Sequence, residues 1–361
     1  MKSHITRRDF LKLGSLTLGG LAFSPFLPGF NSFDDSFVVR IATAEMPVRK
    51  QPTDDSRIEL TWYRDELVHV YEEVKAEEPK HNPIWYRTWG GYIHRGRLQR
   101  VKTLYQIPLR TVPEGKRVLT EVAVPFTTPY RFSKAYGWTP LAPPFYYGSV
   151  HWVEAIEEGP KMADYSGPWY RVFDELDSNV GFFVPAIHLR VLPPSIMEPI
   201  TPEIPYEQKL IEVNLTTQTL VAYEYGKSVF ETNISSGVPG GSVRPGEIPT
   251  KTPAGKFTIM DKVPAKHMGN SYFSSATTGN LLADMDNYVL PGIPFSSFFT
   301  TQGHAFHGTY WHENFGLPMS HGCINMRSNE ANWIFRWAKP EHSDQATSNH
   351  GGVGTMVEIH Y

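Results

Sequence analysis

The sequence predicts a mainly β protein with one or two short helices. Proline supplies 30 of the 361 residues, above a usual share of ~5%, and each proline removes a backbone donor and blocks a helix interior. Hydrophobic residues make up 40% and aromatic residues 13%, the composition of ordered cores, and they fall in short alternating runs. The exception is Ala331, Ile334, Phe335 and Ala338, whose i, i+3, i+4, i+7 spacing predicts one amphipathic helix. The length favours two or three domains, each able to bury a core. A net charge of −3 and a sequence pI of about 6.5 lack the basic footprint of a nucleic-acid binder, so no nucleic-acid partner is expected.

The elements follow in order. Arg7-Arg8 precede an uncharged stretch from Leu13 to Phe33 that is broken by Gly14, Gly19, Gly20, Pro25 and Pro28. Paired arginines before an apolar run fit a twin-arginine export signal over residues 1–33. The run is shorter than the ~20 residues of a stable span. An exported, extracytoplasmic location in the cell wall or periplasm is therefore expected, with tethering to the membrane by this segment left open. A basic N-terminal helix of a cytosolic domain is the alternative.

Residues 34–192 carry an internal repeat. Ile84-Trp85-Tyr86-Arg87 leads to Gly91-Tyr92-Ile93-His94 and Leu98-Gln99-Arg100-Val101; Trp169-Tyr170-Arg171-Val172 leads to Gly181-Phe182-Phe183-Val184 and Ile187-His188-Leu189-Arg190-Val191. Both read as strand, turn, strand. The order resembles bacterial SH3-like modules, which implies two small β-barrels, at 34–108 and 109–192. Such modules bind the wall or serve as platforms for an enzyme. Five prolines between Leu192 and Pro205 then predict a stiff, extended linker over 193–206.

Beyond it, Ile211, Val213 and Leu215 alternate with polar residues as a half-buried strand. Leu220 to Tyr225 and Val229 to Ile234 follow around Gly226-Lys227. Gly237, Gly240, Gly241 and Gly246 form a polar loop without the lysine-serine pair of a phosphate cradle. Thr252-Pro253-Ala254-Gly255 opens a strand from Lys256 to Met260, and the excursion from Lys266 to Pro294 has the length of a lid. Ser328 is positioned to cap the helix, with Glu330 in its first turn. Thr355 to Ile359 reads as a closing strand.

Cys323 is the single cysteine of the chain, within Ser320-His321-Gly322-Cys323-Ile324-Asn325, a string that begins twelve residues after Gly308 of His307-Gly308-Thr309-Tyr310. An exported protein usually pairs its cysteines, so a lone thiol is either a small buried hydrophobe or a nucleophile. A thiol attacks an amide as thiolate and needs a base. His307 supplies one candidate. His321 supplies another if the segment is extended, because i and i+2 side chains then share a face. Gly308 and Gly322 leave room for close backbone approach, and the amides of Gly322 and Cys323 are candidate oxyanion donors. The helix that follows is expected to lower the thiol pKa. His304, His307, His312, His321 and Cys323 offer zinc ligands without a zinc-type spacing, so no metal is expected, and no Gly-x-Ser-x-Gly elbow supports serine hydrolysis.

Residues 207–361, through His307-Gly308-Thr309 and Ser320-His321-Gly322-Cys323-Ile324-Asn325, resemble the L,D-transpeptidase (YkuD-like) catalytic domain. Gln218-Thr219-Leu220, Thr252-Pro253-Ala254-Gly255 and Ile293-Pro294-Phe295 support the match. The resemblance implies Cys323 as the acylated nucleophile, His307 as general base, and His321 and Gly322 at the oxyanion site. It implies that Gly308, Thr309, Tyr310, Ser320, Asn325 and Arg327 line the substrate cleft, although a surface salt bridge explains Arg327 equally well. The expected reaction takes peptidoglycan stem peptides as donor and acceptor, releases D-alanine through a thioester, forms 3→3 cross-links or joins another amine, and needs no cofactor. Water as acceptor gives an L,D-carboxypeptidase. A cysteine peptidase and a catalytically inactive wall-binding protein are the remaining alternatives.

Overall fold

The computed structural model describes residues 37–175, 181–240, 250–269, 274–275, 289–342, 349–350 and 354–361. The arginine pair and the apolar run behind the export expectation lie outside the described residues, as does most of the 266–294 excursion. The described residues are mainly β, with one α-helix, Ser328–Trp337.

Residues 38–361 form one compact unit. Its first sheet takes its seven strands from Val38–Ile41 to Leu98–Val101, and a second gathers strands from Val118–Val122 to Leu189–Val191, with Ser274–Ser275 at its edge. The repeat seen in the sequence reappears here: strands Ile84–Thr88 and Gly91–His94, a 3-10 turn and Leu98–Val101 are matched by Trp169–Val172, Phe182–Pro185, a 3-10 turn and Leu189–Val191. In each copy the tryptophan and tyrosine that open the pattern, Trp85-Tyr86 and Trp169-Tyr170, are buried.

Two five-stranded sheets follow. In the first, Lys209–Asn214 lies between Thr219–Glu224 and the parallel strand Met356–His360. Alternation puts Ile211 and Val213 inside. Tyr225 and Gly226 both take left-handed φ, the geometry of a type I′ hairpin turn, which brings Lys227–Asn233 back against Thr219–Glu224. In the second sheet, Ile324–Met326, Ala305–Gly308, Val289–Phe298 and Asp261–Gly269 are neighbours in that order. The ends of the long excursion are thus the two arms of a hairpin, with Lys266 opposite Ile293 and Gly269 opposite Val289. The helix lays Ala331, Ile334, Phe335 and the following Ala338 into the core these sheets share, as its spacing predicted.

Ser328 does not cap that helix. It is the first helical residue, and Arg327 holds the N-cap position without a side-chain capping bond. At the other end, two buried lysines close the open carbonyls: Lys209 Nζ donates to Trp337 O and Lys262 Nζ to Ala338 O, each at 2.9 Å. Cations favour that pole of a helix, while burial pushes Lys262 down to about 7 and Lys209 to about 8. The proline-rich segment 193–206 lies against the same helix, with Met197 and Ile204 buried and Ile200 N–H donating to Arg336 O.

Candidate active site

The parallel strands Ala305–Gly308 and Ile324–Met326 set Phe306 beside Ile324 and His307 beside Asn325. Phe306, Ile324 and Met326 face the core under the helix. Alternation therefore turns Ala305, His307 and Asn325 to the opposite face. Cys323 precedes its strand by one residue, and its thiol receives a hydrogen bond from the Ala305 amide, placing it on that same face. Cys323 and His307 are consequently diagonal neighbours.

The thiol is half-buried, and Sγ lies 3.7 Å from Gly303 O. Burial pushes it up to about 11, outweighing the Ala305 bond. The expected lowering by the helix is not found, because the strand Ile324–Met326 and Arg327 separate Cys323 from the first helical turn and the helix field fades within about one turn. His307 is 3% exposed, and burial lowers it to about 4. Its Nδ1 is 3.0 Å from Gly308 O. A carbonyl only accepts, so Nδ1 carries the proton and Nε2 keeps its lone pair. Together these shifts favour a neutral thiol and a neutral imidazole over a thiolate–imidazolium pair.

Residues 321–323 are not extended. Gly322 has φ +114, a conformation open to glycine, and it breaks the alternation that would have put His321 beside the thiol; His321 is exposed. Gly322 N–H donates to Ser320 Oγ at 3.1 Å, and Ser320 Oγ–H donates to Cys323 O. One candidate oxyanion donor is thus already engaged. Thr252 Oγ1 donates to Gly322 O and accepts from Gly237 N–H, each at 2.8 Å, pinning the cysteine loop from below. A Cβ on Gly308 would meet Pro294 at 2.6 Å and Ser328 at 3.0 Å, so the room that this glycine leaves is already filled by protein.

Residues 208–359 match the family model of the L,D-transpeptidase catalytic domain, YkuD. This part of the chain is similar to that catalytic domain. No curated protein matches the chain. Among solved structures, an L,D-transpeptidase variant from Enterococcus faecium is 23% identical over 42% of this chain and 50% of its own, with a TM-score of 0.30. An L,D-transpeptidase from Mycobacterium smegmatis is 17% identical over 57% of this chain and 99% of its own, with a TM-score of 0.32. L,D-transpeptidase 3 from Mycobacterium tuberculosis, carrying a faropenem-derived adduct, is 19% identical over 53% and 77%, with a TM-score of 0.31. The chain spans half the length of the Enterococcus faecium chain it matches.

In the matched region the remaining expected site residues are mostly anchored inward. Asn325 is 1% exposed; its carboxamide lies 2.8 Å from His312 Nε2, and its backbone pairs with Ser235. Thr309 and Tyr310 are buried, and the Tyr310 hydroxyl donates to Pro291 O at 2.8 Å. Burial raises that phenol above its ordinary range. Arg327 bonds Glu330 at 3.1 Å and lies over the Phe315 ring. Among the described residues no three His, Cys, Asp or Glu side chains converge as a metal-ligating set.

Sequence reasoning missed two groups. The sequence marks Thr252 as the start of a strand, not as the residue holding the cysteine loop. The second group is a polar relay from the first N-terminal sheet. Asn82 Nδ2 donates to Glu313 O at 3.0 Å and Asn314 Oδ1 at 3.1 Å, Asn314 N–H donates to His312 Nδ1 at 3.2 Å, and His312 holds Asn325. Asn82, preceded by His81 and lying near Arg95 and Gly96, thereby reaches the strand that carries Cys323. A buried asparagine has no sequence period that would reveal it.

Proposed function

We propose that this protein is an extracytoplasmic L,D-transpeptidase that acts on peptidoglycan stem peptides through a Cys323 thioester. The observation that carries the reading is the pairing of a buried His307, its Nδ1 proton committed to Gly308 O, with the chain's single thiol on the same face of one sheet.

With both groups neutral at rest, proton transfer accompanies attack. His307 Nε2 takes the Sγ proton as sulfur adds to the carbonyl of the third stem residue, and the carbonyl electrons move onto oxygen. The Cys323 amide holds that oxyanion, joined by the Gly322 amide once Ser320 Oγ turns away. Collapse breaks the bond to D-alanine, whose nitrogen receives the proton from His307, and leaves a thioester. An amine from a second stem then gives up its proton to His307, adds to the thioester and displaces the Cys323 sulfur, which regains a proton. With the third-residue side chain of that stem as the amine, the product is a 3→3 cross-link; water in its place gives a carboxypeptidase. His321, exposed beside Gly322, contacts the peptide rather than the thiol.

Intact-mass analysis of the chain mixed with a tetrapeptide muropeptide tests this. A Cys323 acyl adduct together with free D-alanine is expected, and both vanish in Cys323→Ala, a loss of at least ~10³-fold. A reduced Cys323 that yields neither adduct nor D-alanine would sink the reading.

A further inference from the structure

We propose that residues 102–110, the strap joining the first N-terminal sheet to the second, dock on the surface of an anionic lipid bilayer. The proposal goes beyond the acyl-transfer reading and does not depend on it.

The strap is extended and pinned from one side. Leu104 N–H donates to Ala123 O and Gln106 N–H to Ile187 O, each at 2.8 Å, and Leu109 N–H donates to the Tyr170 hydroxyl at 2.6 Å. Bonding at every second residue turns the amides of Tyr105 and Ile107 away from the protein, and neither has an acceptor among the described residues. Ile107 is 95% exposed, Tyr105 66% and Leu104 42%. Single exposed apolar side chains are ordinary, but three within four residues, on a backbone held in place, form a patch of the kind that marks an interaction surface. Tyr105 lies over the His188 ring at 5.8 Å, and His188 Nδ1 is 2.8 Å from the hydroxyl of Thr127, so the exposed Phe126 borders the same patch. Burial holds His188 at about 4 in spite of Asp164, which keeps the ring under Tyr105 neutral.

Charge selects the occupant. From Arg100 to Pro113 the sequence carries three cations and no carboxylate. Lys102 and Arg110, one on each side of the apolar group, are exposed and form no ion pair among the described residues. Protruding apolar side chains, a tyrosine with a polar tip and flanking cations are the combination that holds a segment at an anionic headgroup layer. Position points the same way. Val38, where the chain enters the fold, pairs with Val101, one residue before the strap. The apolar run from Leu13 to Phe33 ends shortly before Val38. A bilayer that takes up this run lies within reach of the patch, since residues 101 to 107 span at most ~20 Å.

Hydrogen–deuterium exchange of the full chain tests this, with phosphatidylcholine vesicles that either contain or lack phosphatidylglycerol. On the anionic vesicles the Tyr105 and Ile107 amides should exchange about tenfold more slowly than in buffer. The strand Trp169–Val172 should keep its protection throughout and report an intact fold. Ile107→Glu should abolish the slowing, and Lys102→Glu should cut it to less than about threefold. Capture of the chain through residues 1–37 alone would leave Tyr105 and Ile107 exchanging as in buffer and overturns the proposal. Slowing of equal size on vesicles without phosphatidylglycerol, or slowing that survives Ile107→Glu, overturns it as well.

Discussion

The two N-terminal sheets share a repeat but meet the catalytic domain in different ways. The second sheet joins it through apolar burial: Leu119, Val150 and Trp152 belong to the same core as Ile211, Phe306 and Ile334. The first sheet joins it through hydrogen bonds, from Asn82 and from Gly96 O, which accepts from Glu313 N–H. It is fixed by polar contacts as well to the small two-stranded sheet of Phe126–Thr127 and Phe145–Tyr146, with Arg40 over the Tyr146 ring and the Tyr146 hydroxyl on Asp65. A shared core makes two sheets one folding unit, whereas a hydrogen-bonded seam adds only about 1 kcal/mol per bond. The same supersecondary pattern can thus be fused to its neighbour or merely fastened to it.

Acid should expose this difference most strongly. His151, buried at the second-sheet interface, stacks on Phe145 at 4.0 Å and is pushed down to about 3. His307 and His312 are also held low, at about 4 and about 3. Each folded value lies below the unfolded one of ~6.5, so the unfolded chain binds more protons between the two values and stability falls as pH drops through that window. Urea midpoints measured from pH 7 to pH 4 should decline steeply, and His151→Gln should flatten the curve. A curve unchanged by that substitution would separate the interface from the acid response.

Trp152→Ala should cost about 3–5 kcal/mol and unfold the second sheet and the catalytic domain in one transition. Two resolved transitions in urea would break the comparison. Asn82→Ala should cost about 1–3 kcal/mol. Because Asn82 leads to Asn325 through His312, D-alanine release should also fall about tenfold, with little change in KM. Stability lost without that kinetic effect would make the seam purely structural. Arg327→Ala should change stability by less than about 1 kcal/mol, since its bond to Glu330 is a local, part-exposed ion pair in the first turn of the helix it caps; a larger loss would place Arg327 in the seam instead.

What could be read from the sequence was local. The repeat showed because Trp-Tyr-Arg recurs, the helix face because its spacing is regular, and Cys323 with His307 because the cysteine is single and flanked by glycine and histidine. The contacts that shape the site are not local: Thr252 reaches Gly322 across 70 residues, and Asn82 reaches Asn314 across 232. Such pairings leave no periodic trace. The helix misled for a related reason, because nearness in sequence to its start said nothing of the strand placed between it and Cys323. The left-handed Gly322 breaks the extended run that the spacing of His321 and Cys323 suggests, through a backbone torsion that residue types do not encode.

The parallel pairing of Leu210 with Met356 sets an order of events. Chains emerge from the ribosome N-terminus first, at ~5–20 residues per second, so both N-terminal sheets are complete while Lys209–Asn214 still waits for its partner strand. The sheet of Lys209–Asn214 cannot close until the segment through His360 has been made and threaded between strands that were synthesised long before it.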